Sequence, residues 1–259
     1  MNNLADMTWI EWRKARRSRM PVWIGMASLF MPVGIGFLIF VSRNPEISQK
    51  LGLISAKADL MAYSGTDWPA YLGLFDMVIA AGGFFFFVLA ISWVFGREFA
   101  DGTLKDLLAV PVQRASIVLA KFIVATAWSA AVSGVMLMGG LAMGAIIGLP
   151  GGSSSVIVQG SLTAAITAGL VIPVILPFAL LASAGRGYLL PLGAAVLIVM
   201  MANVMALIGW GEYFPWAVAG LYAQGKSSLG PASYWIVFFT GLAGMLATYL
   251  WWKYADQNR

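Results

Sequence analysis

The sequence predicts an all-α membrane protein that crosses the bilayer six times, and three observations support this fold class. Hydrophobic residues make up 60% of the 259 residues, charged residues only 10%, and the mean hydropathy is +0.83. Soluble proteins carry about 25% charged residues. Uncharged runs long enough to cross a membrane recur along the chain, and the cations between them are distributed unevenly.

Five uncharged runs supply the spans, because a helix needs about 20 apolar residues to cross the hydrocarbon core. One run of 64 residues is too long for one span, and the turn-forming sequence at 149–155 divides it in two. The predicted spans are about 20–42, 70–96, 117–147, 156–184, 187–210 and 232–252. We therefore expect both termini on the same side and a single transmembrane domain over 1–259.

The cations set the predicted orientation, since Lys and Arg concentrate on the cytoplasmic face of membrane proteins. Twelve cations lie on the side of the termini and four on the other. We expect the termini to be cytoplasmic, together with the segment 96–121.

Composition also excludes function classes. The chain has no Cys and no His, so thiolate and imidazole metal sites are absent and no catalytic or metal-binding residue is predicted. The acids near the cytoplasmic face, Glu98, Asp101 and Asp106, show no catalytic spacing. We interpret the net charge of +5 through membrane topology and expect no nucleic acid partner.

Residues 1–20 join aromatic residues, Trp9 and Trp12, to a basic cluster from Arg13 to Arg19. This pattern predicts a short amphipathic helix in the membrane interface, where it contacts lipid. A plain topology signal is the alternative. An outside loop, 43–69, follows span 1 and includes a predicted short helix around 51–62.

The segment 96–121 holds seven of the 27 charged residues and lies between two apolar spans. Asp101 or Thr103 is a candidate helix cap. Leu104, Leu107 and Leu108 then fall on one helical face, and Pro111 ends the helix. The prediction is a short amphipathic helix that either docks a soluble partner or rests on the bilayer surface.

Three spans carry residues that are unusual in a bilayer. Asp76 in span 2 is either part of a substrate pathway, paired with a cation, or solvated at a helix end. Glycines at 140, 144 and 148 allow another helix to approach, within the subunit or from a second copy. Pro173 and Pro177 free backbone carbonyls in span 4 that neighbours must satisfy.

Residues 211–231 are apolar and aromatic but too short to span, so we expect a re-entrant or interfacial hairpin on the outside. Within them, residues 220–227 match the phosphate-loop pattern G-x-x-x-x-G-K-[ST]. That loop must join a buried strand to a helix N-terminus. The flanks here are an aromatic hairpin and Pro231, so we interpret the match as coincidental.

Between spans 2 and 3 the sequence combines Glu98, a Gly-Thr-Leu at 102–104, a Leu-Leu at 107–108, Pro111, Arg114 and Lys121. This pattern resembles that of ABC-2 type permeases, most closely that of the bacitracin-resistance and lantibiotic-immunity permeases. The six spans, the basic N-terminus and the Tyr-Phe-Pro-Trp sequence at 213–216 are also similar. The resemblance implies a multi-pass protein of the bacterial cytoplasmic membrane.

The resemblance also implies how the protein works. A separate ATP-binding subunit would bind ATP and Mg²⁺, the chain itself would need no cofactor, and a second or paralogous permease would complete the assembly. The residues at or near the ATPase contact would be Glu98, Gly102, Thr103, Leu104, Leu107, Leu108, Pro111 and Arg114. We expect export of an amphipathic or lipid-like substrate, such as an antimicrobial peptide. A peptide-sensing immunity module and a lipid-modifying enzyme are the alternatives.

Overall fold

The computed structural model describes residues 3–44, 46–47, 66–225 and 229–254, except for the side chains of Asn3 and Leu108. Within these residues the fold is helical throughout and contains no strand, which confirms the all-α prediction. The α-helices are α1 (Asn3–Arg17), α2 (Met20–Arg43), α3 (Trp68–Val78), α4 (Phe84–Ala100), α5 (Leu104–Ala109), α6 (Arg114–Ile147), α7 (Ser154–Ile175), α8 (Phe178–Ala184), α9 (Leu189–Leu207), α10 (Pro215–Ala223) and α11 (Pro231–Tyr254). A π-helix (Ile79–Gly83) joins α3 to α4, and a 3₁₀-helix (Gly211–Tyr213) precedes α10.

Six helices are long and apolar enough to cross a membrane, as predicted. They are Met20–Arg43, Trp68–Ala100, Arg114–Ile147, Ser154–Ala184, Leu189–Leu207 and Pro231–Tyr254. Their ends agree with the predicted spans to within four residues. With six spans, α1, the connection between spans 2 and 3 and the end of α11 lie on one side of the bundle, called the terminal side below.

Local sequence explains where the spans begin and end. The Asp67 side chain accepts a hydrogen bond from the Ala70 amide and caps α3, and Ser153 caps α7 through the Val156 amide. Gly148 ends α6 in the left-handed conformation, which glycine adopts without strain. The predicted helix around 51–62 lies outside the described residues.

The glycines of span 3 make close contacts within the subunit. A Cβ at Gly140 would lie 2.9 Å from the Phe75 ring, and one at Gly144 would lie 2.5 Å from the Trp68 ring. The Tyr71 hydroxyl also donates a hydrogen bond to the Gly140 carbonyl, at 2.8 Å. Of the two alternatives for this glycine pattern, these contacts favour packing of span 3 against span 2 in the same chain.

The prolines of span 4 divide it into α7 and α8. Pro177 has no amide hydrogen to donate to the Pro173 carbonyl, which accepts from the Leu176 amide at 3.2 Å instead. The Trp216 indole of α10 donates a hydrogen bond to the next carbonyl, that of Val174, at 2.9 Å. Span 6 approaches closely here, since a Cβ at Gly244 would lie 2.5 Å from the Pro177 nitrogen. A neighbouring helix therefore supplies a donor at the break in this span, although the carbonyl freed by Pro177 itself is bonded within the span.

The segment before span 6 is buried in the bundle. Helix α10 packs against α3, α7, α9 and α11, and Val218 within it has no exposed surface. This burial is what the re-entrant alternative requires. Residues 220–223 of the phosphate-loop pattern are helical and form no phosphate-binding loop, whereas Lys226 and Ser227 lie outside the described residues.

Candidate functional site

The terminal side of the bundle holds a buried network of five charged residues. Helix α1 packs along α6 and inserts Glu11, which is 3% exposed, between spans 2 and 3. Span 2 contributes Arg97 and Glu98, span 3 contributes Lys121, and α1 also contributes Lys14. The network therefore links the N-terminal helix to both spans that flank the predicted docking helix.

Lys121 is the centre of this network and is fully buried. Its ammonium group contacts Glu98 Oε2 at 2.8 Å, Glu11 Oε2 at 3.3 Å and the Val94 carbonyl at 2.8 Å. An ammonium group has three protons to donate, so all three have acceptors. A buried charge is tolerated when it is paired and hydrogen-bonded in this way.

The remaining cations contact the other oxygens of the two carboxylates. Lys14 Nζ lies 2.7 Å from Glu11 Oε1 and 3.4 Å from Glu98 Oε1. Arg97 Nε lies 3.2 Å from Glu98 Oε1, and its guanidinium stacks on the Trp93 ring at 4.6 Å. Three cations and two anions leave a net charge of +1, so the carboxylates are fully compensated.

The predicted short helix between spans 2 and 3 is present as α5, and its leucine face points into the protein. Leu104 is 7% exposed within the hydrophobic core, and Leu107 packs against that core. Lys105 and Asp106 are exposed. The leucines therefore hold α5 on the bundle, and a partner would meet its charged face rather than the leucine ridge. The side chain of Leu108 is not described.

The other residues predicted at the ATPase contact have distinct positions. Gly102 adopts a left-handed conformation with φ of +70°, and Thr103 is the N-cap residue of α5, although its side chain makes no capping hydrogen bond. Pro111 is exposed just beyond α5. Arg114 donates hydrogen bonds to the Trp252 and Lys253 carbonyls, at 2.9 and 3.2 Å, and so ties span 3 to the end of span 6. Glu98 lies in the buried network.

Asp76 lies away from the terminal side, in the last turn of α3, three residues before the π-helix begins at Ile79. It is 4% exposed, and among the described residues its Oδ1 atom has no hydrogen-bond partner and its carboxylate no ion pair. This burial disfavours the alternative of a solvated helix end, because the surrounding helices cover most of the side chain. The structure brings Asp76 and the charged network to different parts of span 2.

A cavity of about 250 Å³ lies beside the π-helix, between spans 2 and 5 and α10. Its lining is apolar apart from Asn203 and Gln224, with Trp216 on its wall. Sites for apolar ligands have this character, in which a few polar groups orient the ligand.

Sequence reasoning missed Glu11 and Lys14, although it identified Glu98 and Lys121 as parts of a pattern. Glu11 is spaced four residues from Met7 and from Ala15, and all three are buried on one face of α1. An acid on the apolar face of a basic helix was the available signal, because such an acid needs a buried cation.

Comparison with known proteins gives the class. A family model described as "ABC-2 family transporter protein" matches residues 7–203, and the chain belongs to this family. It is 26% identical over 168 residues to the bacitracin transport permease protein of Bacillus licheniformis, an alignment that covers 64% of this chain and 81% of the relative. The chain is thus a non-catalytic membrane subunit of a transporter, and the family implies an ATPase partner.

Proposed function

We propose that this chain is the permease of an exporter in which a separate ATPase subunit docks on α5. The exposed, charged face of α5, on a helix anchored by Leu104, carries this proposal. Helix α5 connects spans 2 and 3, so a rigid-body displacement imposed on it would reach both spans. A partner bound to Lys105 and Asp106 needs no rearrangement of the core.

The charged network supports the same proposal, since it makes the terminal side a single mechanical unit. Lys121 and Glu98 join spans 3 and 2 directly, and Glu11 adds α1. Breaking such buried pairs is costly, so the three elements would move together. In this proposal the termini and α5 are cytoplasmic, which the excess of cations on the terminal side favours.

The test is a charge exchange on α5, Lys105→Glu together with Asp106→Lys, in the permease co-expressed with its ATPase subunit. Both side chains are exposed, so the free energy of unfolding should change by less than about 0.5 kcal/mol. We expect loss of ATPase co-purification and at least a tenfold loss of transport.

The matched control is Arg19→Glu, which reverses another exposed charge on the terminal side and should leave assembly intact. Normal assembly and normal transport in the α5 variant would reject the docking role. In the same complex, Lys226→Ala should leave ATP turnover unchanged, because we assign ATP binding to the partner.

For the cargo we propose an amphipathic, peptide-like molecule, by analogy with the relative whose name refers to bacitracin. The largely apolar cavity beside the π-helix is the feature of this chain that supports it. ATPase stimulation by bacitracin together with its accumulation inside inverted vesicles is the expected result. Stimulation without accumulation would favour the immunity module instead.

A second permease copy would cover the outward face of span 5. Met200 and Val204 are exposed there, and Asn203 between them, which also borders the mouth of the cavity, is a polar group of the kind that favours helix association in lipid. Because the chain has no Cys, a single Met200→Cys substitution should cross-link two copies in membranes, whereas Val158→Cys, exposed on span 4, should not. Equal cross-linking at both positions would reject this interface.

A further inference from the structure

One face of α1 is largely apolar up to Trp12 and cationic from Arg13 onward. Its apolar part, Leu4, Ala5, Thr8, Trp9 and Trp12, borders a groove of about 580 Å³. Its cationic part, Arg13, Arg16 and Arg17, borders a cavity of about 350 Å³. Trp9 and Trp12 line both, so the groove and the cationic cavity are adjacent.

Span 3 supplies the opposite wall of the groove. Ile123, Val124 and Ala127 line it, and they follow Lys121, the last charged residue of α6. Helix α6 is about 51 Å long, so it extends well beyond a hydrocarbon core of about 30 Å. We place the hydrocarbon boundary beside Lys121, the last charge before an uncharged run, which would put the groove at that boundary and the cationic cavity toward the headgroups.

Among the described residues, the three arginines have no acidic partner. All are exposed, and the described part of the chain places no carboxylate within ion-pair distance of them. Arg13 instead stacks on the Trp9 ring at 5.0 Å. Of the acids on or beside α1, Glu11 and Glu98 are compensated by the network on the other side of the helix, and Asp6 is exposed two turns before Arg13 and makes no ion pair with it.

We propose that α1 and the start of span 3 bind an anionic phospholipid. An acyl chain occupies the apolar groove, the tryptophan rings lie at the glycerol level, and the phosphate contacts the three arginines. Charge complementarity selects this occupant, since three unpaired cations at the mouth of an apolar groove match one anionic headgroup on a hydrocarbon chain. The opposite face of α1 carries Glu11 and Lys14, so the lipid would hold α1 against the charged network.

The first test is native mass spectrometry of the full-length permease with phosphatidylglycerol or phosphatidylcholine of identical acyl chains. Phosphatidylglycerol should be retained preferentially, and Arg16→Gln/Arg17→Gln should weaken its retention about tenfold. The control Arg19→Gln/Arg186→Gln removes two exposed cations elsewhere on the terminal side and should retain the lipid. Equal retention of both lipids, or equal loss in both variants, would overturn the proposal.

The second test blocks the groove without removing a charge. The chain has no Cys, so Ala127→Cys can be modified with an alkyl maleimide after folding. The control is Ala130→Cys, one turn further along α6 and exposed outside the groove. Alkylation should displace phosphatidylglycerol at position 127 only. Displacement at both positions or at neither would contradict the groove as its site.

Protein occupants give different results. If the ATPase subunit displaces the lipid on assembly, the groove is a protein contact and the proposal fails. If alkylation at position 127 converts dimers to monomers, a second copy of the chain covers the groove and the proposal also fails. These readouts measure lipid binding and subunit state rather than transport, so either result leaves the proposed docking role of α5 unaffected.

Discussion

Each half of span 2 carries a buried carboxylate, and the two differ in whether a cation neutralises them. On the terminal side, Glu98 has three cations within 3.4 Å, and Glu11 shares them. Nearer the other end, Asp76 is almost as buried but has no partner for Oδ1 among the described residues. The difference indicates that the charged network connects the helices firmly at one end. At the other end, it indicates a polar group that is available to a ligand or to a rearranged neighbour.

The structural elements around the two carboxylates also differ. Glu98 lies where α1, span 2 and span 3 converge, and its partners come from all three. Asp76 precedes a π-helix, a feature that often occurs at functional sites, and Met77 beside it lines the cavity of about 250 Å³. A transporter needs both properties, because a stiff connection conveys movement and a pathway must change shape.

The largest effect on stability should come from breaking the charged network with Lys121→Met. This change keeps an unbranched side chain of similar length but removes the fully buried cation that contacts both carboxylates and the Val94 carbonyl. Loss of one partner from a buried ion pair costs about 3–5 kcal/mol. Thermal unfolding of the purified permease in one detergent should show this loss.

Lys105→Met is the matched control, since Lys105 is exposed on α5 and makes no ion pair among the described residues. Its effect should stay within about 0.5 kcal/mol. Equal unfolding temperatures for the two variants would mean that the network adds no stability and does not connect the helices firmly.

A smaller effect on stability is expected at Asp76, so Asp76→Asn and Glu98→Gln should destabilise the protein to different extents. The neutral amide at 76 avoids the cost of burying a charge and loses no ion pair among the described residues, so stability should change by less than about 1 kcal/mol or rise. Glu98→Gln loses charge-assisted contacts on both oxygens and should destabilise the protein clearly more. Both are measured as unfolding temperatures beside transport rates.

If Asp76 belongs to a substrate pathway, its asparagine variant will be stable but will transport poorly. A variant as active and as stable as the original protein would leave Asp76 without a role in transport. Strong destabilisation by Asp76→Asn would mean that the carboxylate has a partner of its own and would end the contrast with Glu98.

Much of the fold could be predicted from the sequence because hydrophobic length and charge asymmetry act locally. Span ends follow from uncharged runs, from caps such as Asp67 and from the turn at 149–155. The helix α5 was also predictable, because its leucine spacing and Pro111 are contained in ten residues.

What the leucine face of α5 contacts could not be predicted from the sequence. Leucine spacing indicates an apolar face but not whether that face meets a partner or the chain's own core, and Leu104 is in the core. The charged network joins residues separated by up to 110 positions, as in the contact of Lys121 with Glu11. Without the packing of α1 on α6, nothing in the sequence pairs those two residues. The cavity beside the π-helix depends on the same kind of distant packing.

The π-helix at Ile79–Gly83 has a consequence for how span 2 tolerates change in length. A π-turn accommodates one residue more than an α-turn, so deleting a single residue there, Ala81 for example, would convert it to α-helix. Because the π-turn absorbs the extra residue, this deletion would leave the two halves of span 2 facing nearly as before. Each residue rotates an α-helix by about 100°, so a deletion within α3 or α4 would instead turn the two halves against each other by roughly that angle. The relative facing of Asp76 and Glu98 is thus protected against the loss of one residue at the π-helix but not within either of those two helices.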